Sequence, residues 1–241
     1  MPRQPAIATA GFGLPPPRSI PVTMLLCTVL AVVSLVGTLI GRQTGIGLNL
    51  LNYQVGAILD LELWRFFTFP FVESTLWGFL IGLLVLYMFG GWFESTYGRW
   101  DYLRFFIVSS LGAGLVAIPL TFLITLIMPF SDVGIAEGPD AAINAMLVAM
   151  AFHAPTASVL FFIFPMRART MIFIILGYEV IQGIYTGAAG LSMTLAGMLM
   201  GCLLVTGYWR PTRLIDLARL YVFRRRRRAL YVVPPRDRTL N

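Results

Sequence analysis

The stretch Thr75–Glu94, TLWGFLIGLLVLYMFGGWFE, runs nineteen residues without a charge before it reaches Glu94. In water such a segment would have to be covered on all sides. A bilayer core about 30 Å thick instead accepts about 20 apolar residues of helix as they stand. The pattern recurs on both sides of this stretch. Ile20–Ile40 and Phe105–Phe130 are free of charge, Ala141–Ala157 is shorter and is interrupted by His153 and Pro155, Thr170–Tyr185 carries Glu179, and Gly187–Trp209 closes the series. With Thr75–Phe93 these make six spans, predicting an all-α integral membrane protein built as a six-transmembrane-helix bundle. The apolar stretch Thr156–Phe164 could extend either the fourth or the fifth span. Composition agrees, since the 241 residues are 58% hydrophobic and 12% charged, with a mean hydropathy of +0.80. That is too little charge for the surface of a soluble domain. Ile20–Ile40 is too long for a cleaved signal and has no small-x-small cleavage site before a polar start, so it reads as a signal anchor.

Three regions follow: an N-terminal tail over 1–18, a membrane domain over 19–210 and a basic tail over 211–241. Arg3, Arg18, Arg99, Arg104, Arg167, Arg169 and the basic tail fall on one side of the spans. The opposite loops hold Arg42 and Arg65 together with Asp60, Glu62, Glu73, Asp132 and Glu137. The positive-inside rule then places both termini in the cytoplasm. All eighteen basic residues are Arg; with the compact layout, this suggests a bacterial inner membrane. In the tail, Thr212 can cap an amphipathic helix running to Phe223 along the membrane surface. Arg224, Arg225, Arg226, Arg227 and Arg228 then offer anionic lipid headgroups about 1 kcal/mol each. Beside a membrane span that partner is preferred to nucleic acid. Cys27 and Cys202 lie within apolar runs and read as packed thiols, and no metal or cofactor motif is present.

Between the first two spans, Arg42–Ser74 is of mixed polarity, and Leu61–Phe67 is aromatic and amphipathic. It either dips Trp64 and its phenylalanines into lipid or is simply an anchored loop. Within the spans, small residues recur every four positions: Ala141, Ala145 and Ala149 on the fourth, Gly197 and Gly201 on the sixth, Gly78 and Gly82 on the second. Such stripes let helix backbones approach where lipid gives no hydrophobic drive. Intramembrane acids are costly, which singles out Asp140 and Glu179. Asp140 is placed to cap the fourth helix. With Asn144 one turn on and Thr194 expected opposite, it would also complete a polar cluster. Glu179 reads as a structural hydrogen-bonding group.

Three local patterns resemble the rhomboid family of intramembrane proteases. They are Glu62–Thr68, with Trp64 and Arg65 in the long first loop; Gly90-Gly91-Trp92-Phe93-Glu94 followed by Tyr97-Gly98-Arg99-Trp100; and Gly197-x-x-x-Gly201 in the last span. The resemblance covers roughly Leu61 to Leu204 and implies a rhomboid-like six-span bundle. It also implies a Ser nucleophile opening the fourth span, a His base on the sixth, and His and Asn donors on the second. Serine chemistry needs all of these, because the hydroxyl must lose its proton and the oxyanion must be held. Carried over position by position, the nucleophile is Asp140, the base is Thr194, and the two donors are Gly78 and Gly82. The chain's one His, His153, lies 13 residues beyond Asp140, about 20 Å along a helix. Ser192 has no base in reach.

The expectation is therefore a catalytically inactive rhomboid-like protein that binds or retains transmembrane segments of client proteins, without a cofactor. Its rivals are a divergent rhomboid-family serine endopeptidase with an unrecognised site, and a lipid-perturbing membrane scaffold.

Overall fold

The computed structural model describes residues 16–45, 47–127, 133–153, 158–161 and 164–206, with the backbone alone at 158–161, 164–169, 179–180 and 182–186. Residues up to Val205 form one compact unit. The tail helix proposed over Thr212–Phe223 and the arginines 224–228 lie outside the described residues, as does the side chain of Glu179.

Helix α1 (Pro21–Thr44) covers the first expected span and ends on Gly45, whose φ of 74° a side chain would oppose. Its first turn is capped from a distant part of the chain. Glu94 accepts hydrogen bonds from Val22 N at 3.0 Å, Thr23 N at 2.7 Å and Thr23 Oγ1 at 2.8 Å. Glu94 sits near the end of α4 (Leu76–Tyr97), so this clasp fixes α1 and α4 side by side and antiparallel. The glycines before it let the clasp close. A Cβ on Gly90 would lie 3.1 Å from the Tyr102 ring and 3.2 Å from Thr23 Cγ2. The chain then breaks at Gly98 (φ 91°) into α5 (Arg99–Ile127), which starts six residues before the expected third span.

The long first loop is a packed structure. It winds through two short helices, α2 (Val55–Leu59) and α3 (Arg65–Thr68), and three-residue or four-residue 3-10 turns at Gly47–Leu50 and Phe69–Phe71. Buried Arg65 gathers it. Its Nε and Nη2 both reach Glu62 Oε2 at 2.6 Å, while Nη1 donates to Asn49 O, Asn52 O and Asn52 Oδ1 at 2.7, 2.8 and 3.0 Å. Tyr53 Oη donates to Gly114 O on α5 at 2.8 Å, and Phe66 and Phe69 pack at the same place. Of the aromatic side chains expected in lipid, Trp64 and Phe67 are exposed, but Phe66 is buried against α5. The anchored-loop reading therefore describes this segment better than an interfacial helix does.

Helix α6 (Asp140–His153) is the centre of the bundle, with every residue from Ala141 to Ala151 buried. Its apolar surface goes all round, as a helix surrounded by others requires. Fourteen residues rise about 21 Å, short of a bilayer core. The expected fourth span continued to Ala157; α6 is described as far as His153, and 154–157 lie outside the described residues. The described part of the apolar run beyond them is not helical. Strands β1 (Ser158–Phe161) and β2 (Phe164–Arg167) pair as an antiparallel hairpin, with Ser158 opposite Arg167. Helix α7 (Ala168–Thr186) packs on α6. Helix α8 (Ala188–Thr206) lies so close to α6 that a Cβ on Gly197 or Gly201 would sit 2.8 Å from Ala141 Cα or Ala145 Cα. The third member of the fourth-span stripe, Ala149, instead joins the core shared with Leu30, Leu86 and Phe106.

Among the described residues four helices, α1, α4, α5 and α8, are long and apolar enough to cross a membrane; α6 is a shorter apolar helix. Six spans are therefore not all accounted for. The polarity is that of a membrane protein: Leu25, Leu39, Trp77, Leu126 and Phe173 face outward, while Glu94, Asn144, Ser192 and Thr194 are buried.

Candidate functional site

One group of polar side chains gathers where α4 and α6 begin. Thr75 caps α4, its Oγ1 accepting from Gly78 N at 3.1 Å. Thr75 in turn donates from N and Oγ1 to Glu73 Oε1 at 3.3 and 2.9 Å. Ser74 donates from N at 3.2 Å and from its hydroxyl to Glu137 Oε1, tying the start of α4 to the loop before α6. That loop turns through Gly138 (φ 88°), whose N–H donates to Phe69 O at 3.0 Å. A Cβ on Gly138 would stand 3.0 Å from Glu73 Oε2, so the carboxylate lies directly over the turn. From α1, Ser34 Oγ accepts from Glu73 N at 3.1 Å. Burial, the largest influence, pushes the Glu73 carboxyl up to about 7; nearby Glu137 and Asp140 push the same way, and the Thr75 bonds oppose them. Glu137 Oε2 is buried with no hydrogen-bond partner.

Asp140 stands beside this junction as the first residue of α6. The first helical bond is accepted by Pro139 O, from Ile143 N at 3.0 Å. A carboxylate in the first turn of a helix lies in the favourable field of its N-terminus. Asp140 is exposed, whereas Asn144 and Thr194 are 3% and 2% exposed. Because Ala141 meets Gly197 and Ala145 meets Gly201, α6 and α8 run parallel. Thr194, three residues before Gly197, is then level with the turn that precedes Asp140, and Asn144 is a turn deeper. Nearby Ser192 is committed to Thr121 Oγ1 at 2.6 Å and Ala189 O at 2.8 Å.

The two glycine positions on α4 also fall here. A Cβ on Gly78 would collide with the Glu73 and Thr75 side chains, and one on Gly82 would rest 3.8 Å from Pro139. His153 is elsewhere. Its Nδ1 lies 2.9 Å from Ala149 O, and its ring meets Tyr97 edge-on with centroids 5.7 Å apart. Tyr97 ends α4, so the chain's one imidazole occupies the opposite end of α6 from Asp140.

Sequence reasoning missed Glu73 and Glu137 as members of the site, counting them only as loop charges. The available signal was their position, two acids each within three residues of a helix start.

A mostly helical bundle with long apolar helices, an apolar exterior and its few buried polar side chains turned inward defines an α-helical integral membrane protein. The chain belongs to the family described as eukaryotic integral membrane protein (DUF1751), whose model matches residues 24–208. No curated protein matches the chain. The eukaryotic family overturns the expected bacterial inner membrane. Arg in place of Lys and a compact set of spans suit any bilayer of ordinary thickness, so neither feature carried information about the kind of cell.

Proposed function

We propose that this protein is a non-catalytic rhomboid-like membrane protein, with α6 and α7 completing a six-span bundle, that binds or retains transmembrane segments of client proteins. The observation that carries this reading is the placement of the imidazole. At the position the resemblance gives to a nucleophile stands Asp140, while His153 is held against Tyr97 at the far end of the same helix. Asp140 has the Glu73 carboxyl near it and no described imidazole, which argues against the hydroxyl–imidazole pair that serine chemistry needs. Gly78 and Gly82 supply no side-chain donor for an oxyanion. What remains is a helical scaffold whose α4 turns Leu76, Trp77, Leu80 and Leu84 outward, next to the recessed start of α6. A single-span client would lie along that face by apolar packing, its own polar backbone groups meeting the Asp140, Asn144 and Thr194 end of the bundle. The basic tail would add attraction to anionic headgroups.

The test is reconstitution of the full chain with defined single-span proteins and a photo-crosslinking residue at Trp77, with Leu39 on α1 as the comparison site. Saturable capture of a client at Trp77 and not at Leu39, with no cleavage, is expected. Capture of lipid alone would favour the lipid-perturbing scaffold. Cleavage abolished by Asp140→Ala or Thr194→Ala would establish a protease and reject the proposal.

A further inference from the structure

The first loop leaves a groove against the lipid-facing side of α1. Its turn Gly47–Leu50 doubles back along the helix because glycine meets glycine there: a Cβ on Gly41 would lie 3.1 Å from Gly47 Cα, and one on Gly37 would collide with the Leu48 side chain. Beside that contact a gap remains, walled by Val32, Val33, Val36 and Ile40 on the helix and by Leu50 and Leu51 on the loop. Hydrogen bonds hold the loop wall in place. Trp64 Nε1 donates to Leu50 O at 3.1 Å, and Thr68 Oγ1 donates to Leu51 O at 2.7 Å. The gap is therefore built into the fold of the loop.

Its dimensions decide what can occupy it. The groove follows α1 from Val32 to Thr44, about 18 Å of helix, against roughly 15 Å for one leaflet's share of the hydrocarbon core. The polar last turn of α1, Arg42-Gln43-Thr44, sets that end at headgroup level. A volume of about 580 Å³ spread over this length leaves a width of roughly 6 Å, about half the diameter of an α-helix with its side chains. A span of a client, or of a second copy, is too thick to enter, whereas an extended hydrocarbon chain fits. Water has little to bond there. The Thr44 hydroxyl is the one polar side-chain group among the lining residues, and it donates to Ile40 O at 2.9 Å. Left empty, the groove would forfeit dispersion contacts along its whole length. It is also continuous with the surface that meets the bilayer: Val32, Val36 and Ile40 are about half exposed, and Leu35 and Leu39 beside them are more so.

We propose that the groove binds one acyl chain of a membrane phospholipid drawn from the leaflet on the Thr44 side. The site reads the chain and not the charge of the headgroup. Arg42 is not among the lining residues and stands about 200° round α1 from Ile40. Arg65 is buried and committed to Glu62, Asn49 and Asn52. Zwitterionic and anionic phospholipids should therefore bind alike, unlike lipids attracted to a basic tail. The site is independent of whether a client segment binds along α4.

The test uses the full chain, purified in detergent, with an equimolar phosphatidylcholine that carries a photoactivatable diazirine in one acyl chain. Labelled positions are mapped by mass spectrometry. Labelling within 32–51 should saturate, yield to unlabelled phosphatidylcholine, and exceed by about fivefold that of 115–127, where α5 turns Leu115, Phe122 and Leu126 outward without a groove. Val36→Trp, which fills the groove from a half-exposed position, should lower labelling of 32–51 about fivefold and leave 115–127 as it was. The same probe built on phosphatidylglycerol should label 32–51 to the same extent within about twofold. Equal labelling of the two surfaces would show ordinary boundary lipid and overturn the site, as would an unaltered result in Val36→Trp. A preference of about tenfold for phosphatidylglycerol would overturn selection by the chain. Capture of a second copy of the protein by a benzoylphenylalanine at Leu50, in place of lipid, would overturn the occupant. If Val36→Trp does not fold, the comparison of the two surfaces in the unmodified protein still decides the question.

Discussion

Removing the Glu94 carboxylate should separate α1 from α4 more effectively than any other single change at their contact. Glu94 is 3% exposed and accepts three hydrogen bonds from the first turn of α1. Hydrogen bonds to a charged group each contribute about 1.5–3 kcal/mol, but they are not additive. The freed N–H groups also lie at a helix end, where water can partly satisfy them. Glu94→Ala should therefore cost about 3–4 kcal/mol. Glu94→Gln is the informative comparison. Its single carbonyl oxygen can stand where Oε2 stands and keep both Thr23 bonds, but its NH2 then faces Val22 N–H and the charge is gone. That loss should be about 1.5–2 kcal/mol. Thr23→Val removes one hydroxyl bond and should show coupling to Glu94→Ala in a double-mutant cycle. The assay is reversible unfolding in mixed micelles by sodium dodecyl sulfate titration, followed by tryptophan fluorescence. An alanine variant within about 1 kcal/mol of the unmodified protein would refute the clasp as the connection between the two helices. A glutamine variant as damaging as alanine would refute the distribution of the bonds.

Other expectations use the same measurement or a simpler one. Gly197→Val places atoms against the Ala141 backbone, which cannot give way, and should cost about 3 kcal/mol or more. Gly112→Ala meets only the flexible end of Met200 and should cost less than about 1 kcal/mol; equal losses at Gly197 and Gly112 would contradict the close approach of α6 and α8. Arg65→Lys keeps the charge but cannot reach Glu62, Asn49 and Asn52 together, so the first loop should become sensitive to limited proteolysis between Gly47 and Phe71, with about 2–3 kcal/mol lost. A fluorophosphonate probe should leave the unmodified protein unlabelled, and a single labelled hydroxyl near Thr194 would contradict the non-catalytic reading.

Much of the fold was legible because lipid imposes a simple pattern. Charge-free runs near twenty residues long marked α1, α4 and α8 closely, but they missed the first six residues of α5, which follow the break at Gly98 and carry charge. The same signal failed at the centre. Apolarity alone could not separate a further helical segment from the β1–β2 hairpin that follows α6 in the chain. The first loop misled for a related reason. Phe66 and Trp64 look equally suited to lipid, but a gap beside Gly114 takes the former and nothing in the local sequence announces it.

The site shows what one-dimensional reading loses. Asp140 drew attention because it stands alone at the head of an apolar run, and the structure places it at the edge of a larger acidic junction. Its neighbours Glu73 and Glu137 are 67 and 3 residues away in the chain, and the contact between them exists only because α4 and α6 start at the same end of the bundle. Glycines create that contact. Gly138 turns the loop under Glu73, Gly78 makes room for Glu73 and Thr75, and Gly197 lets α8 press α6 into register with it. A side chain at any of these three positions would push apart groups that it never touches in sequence. Substituting Gly138 with Ala, which opposes a φ of 88° and crowds Glu73, should therefore loosen the α4–α6 junction while leaving the Glu94 clasp intact. Exchange measurements that found both regions loosened together would show that the two ends of the bundle open as one unit.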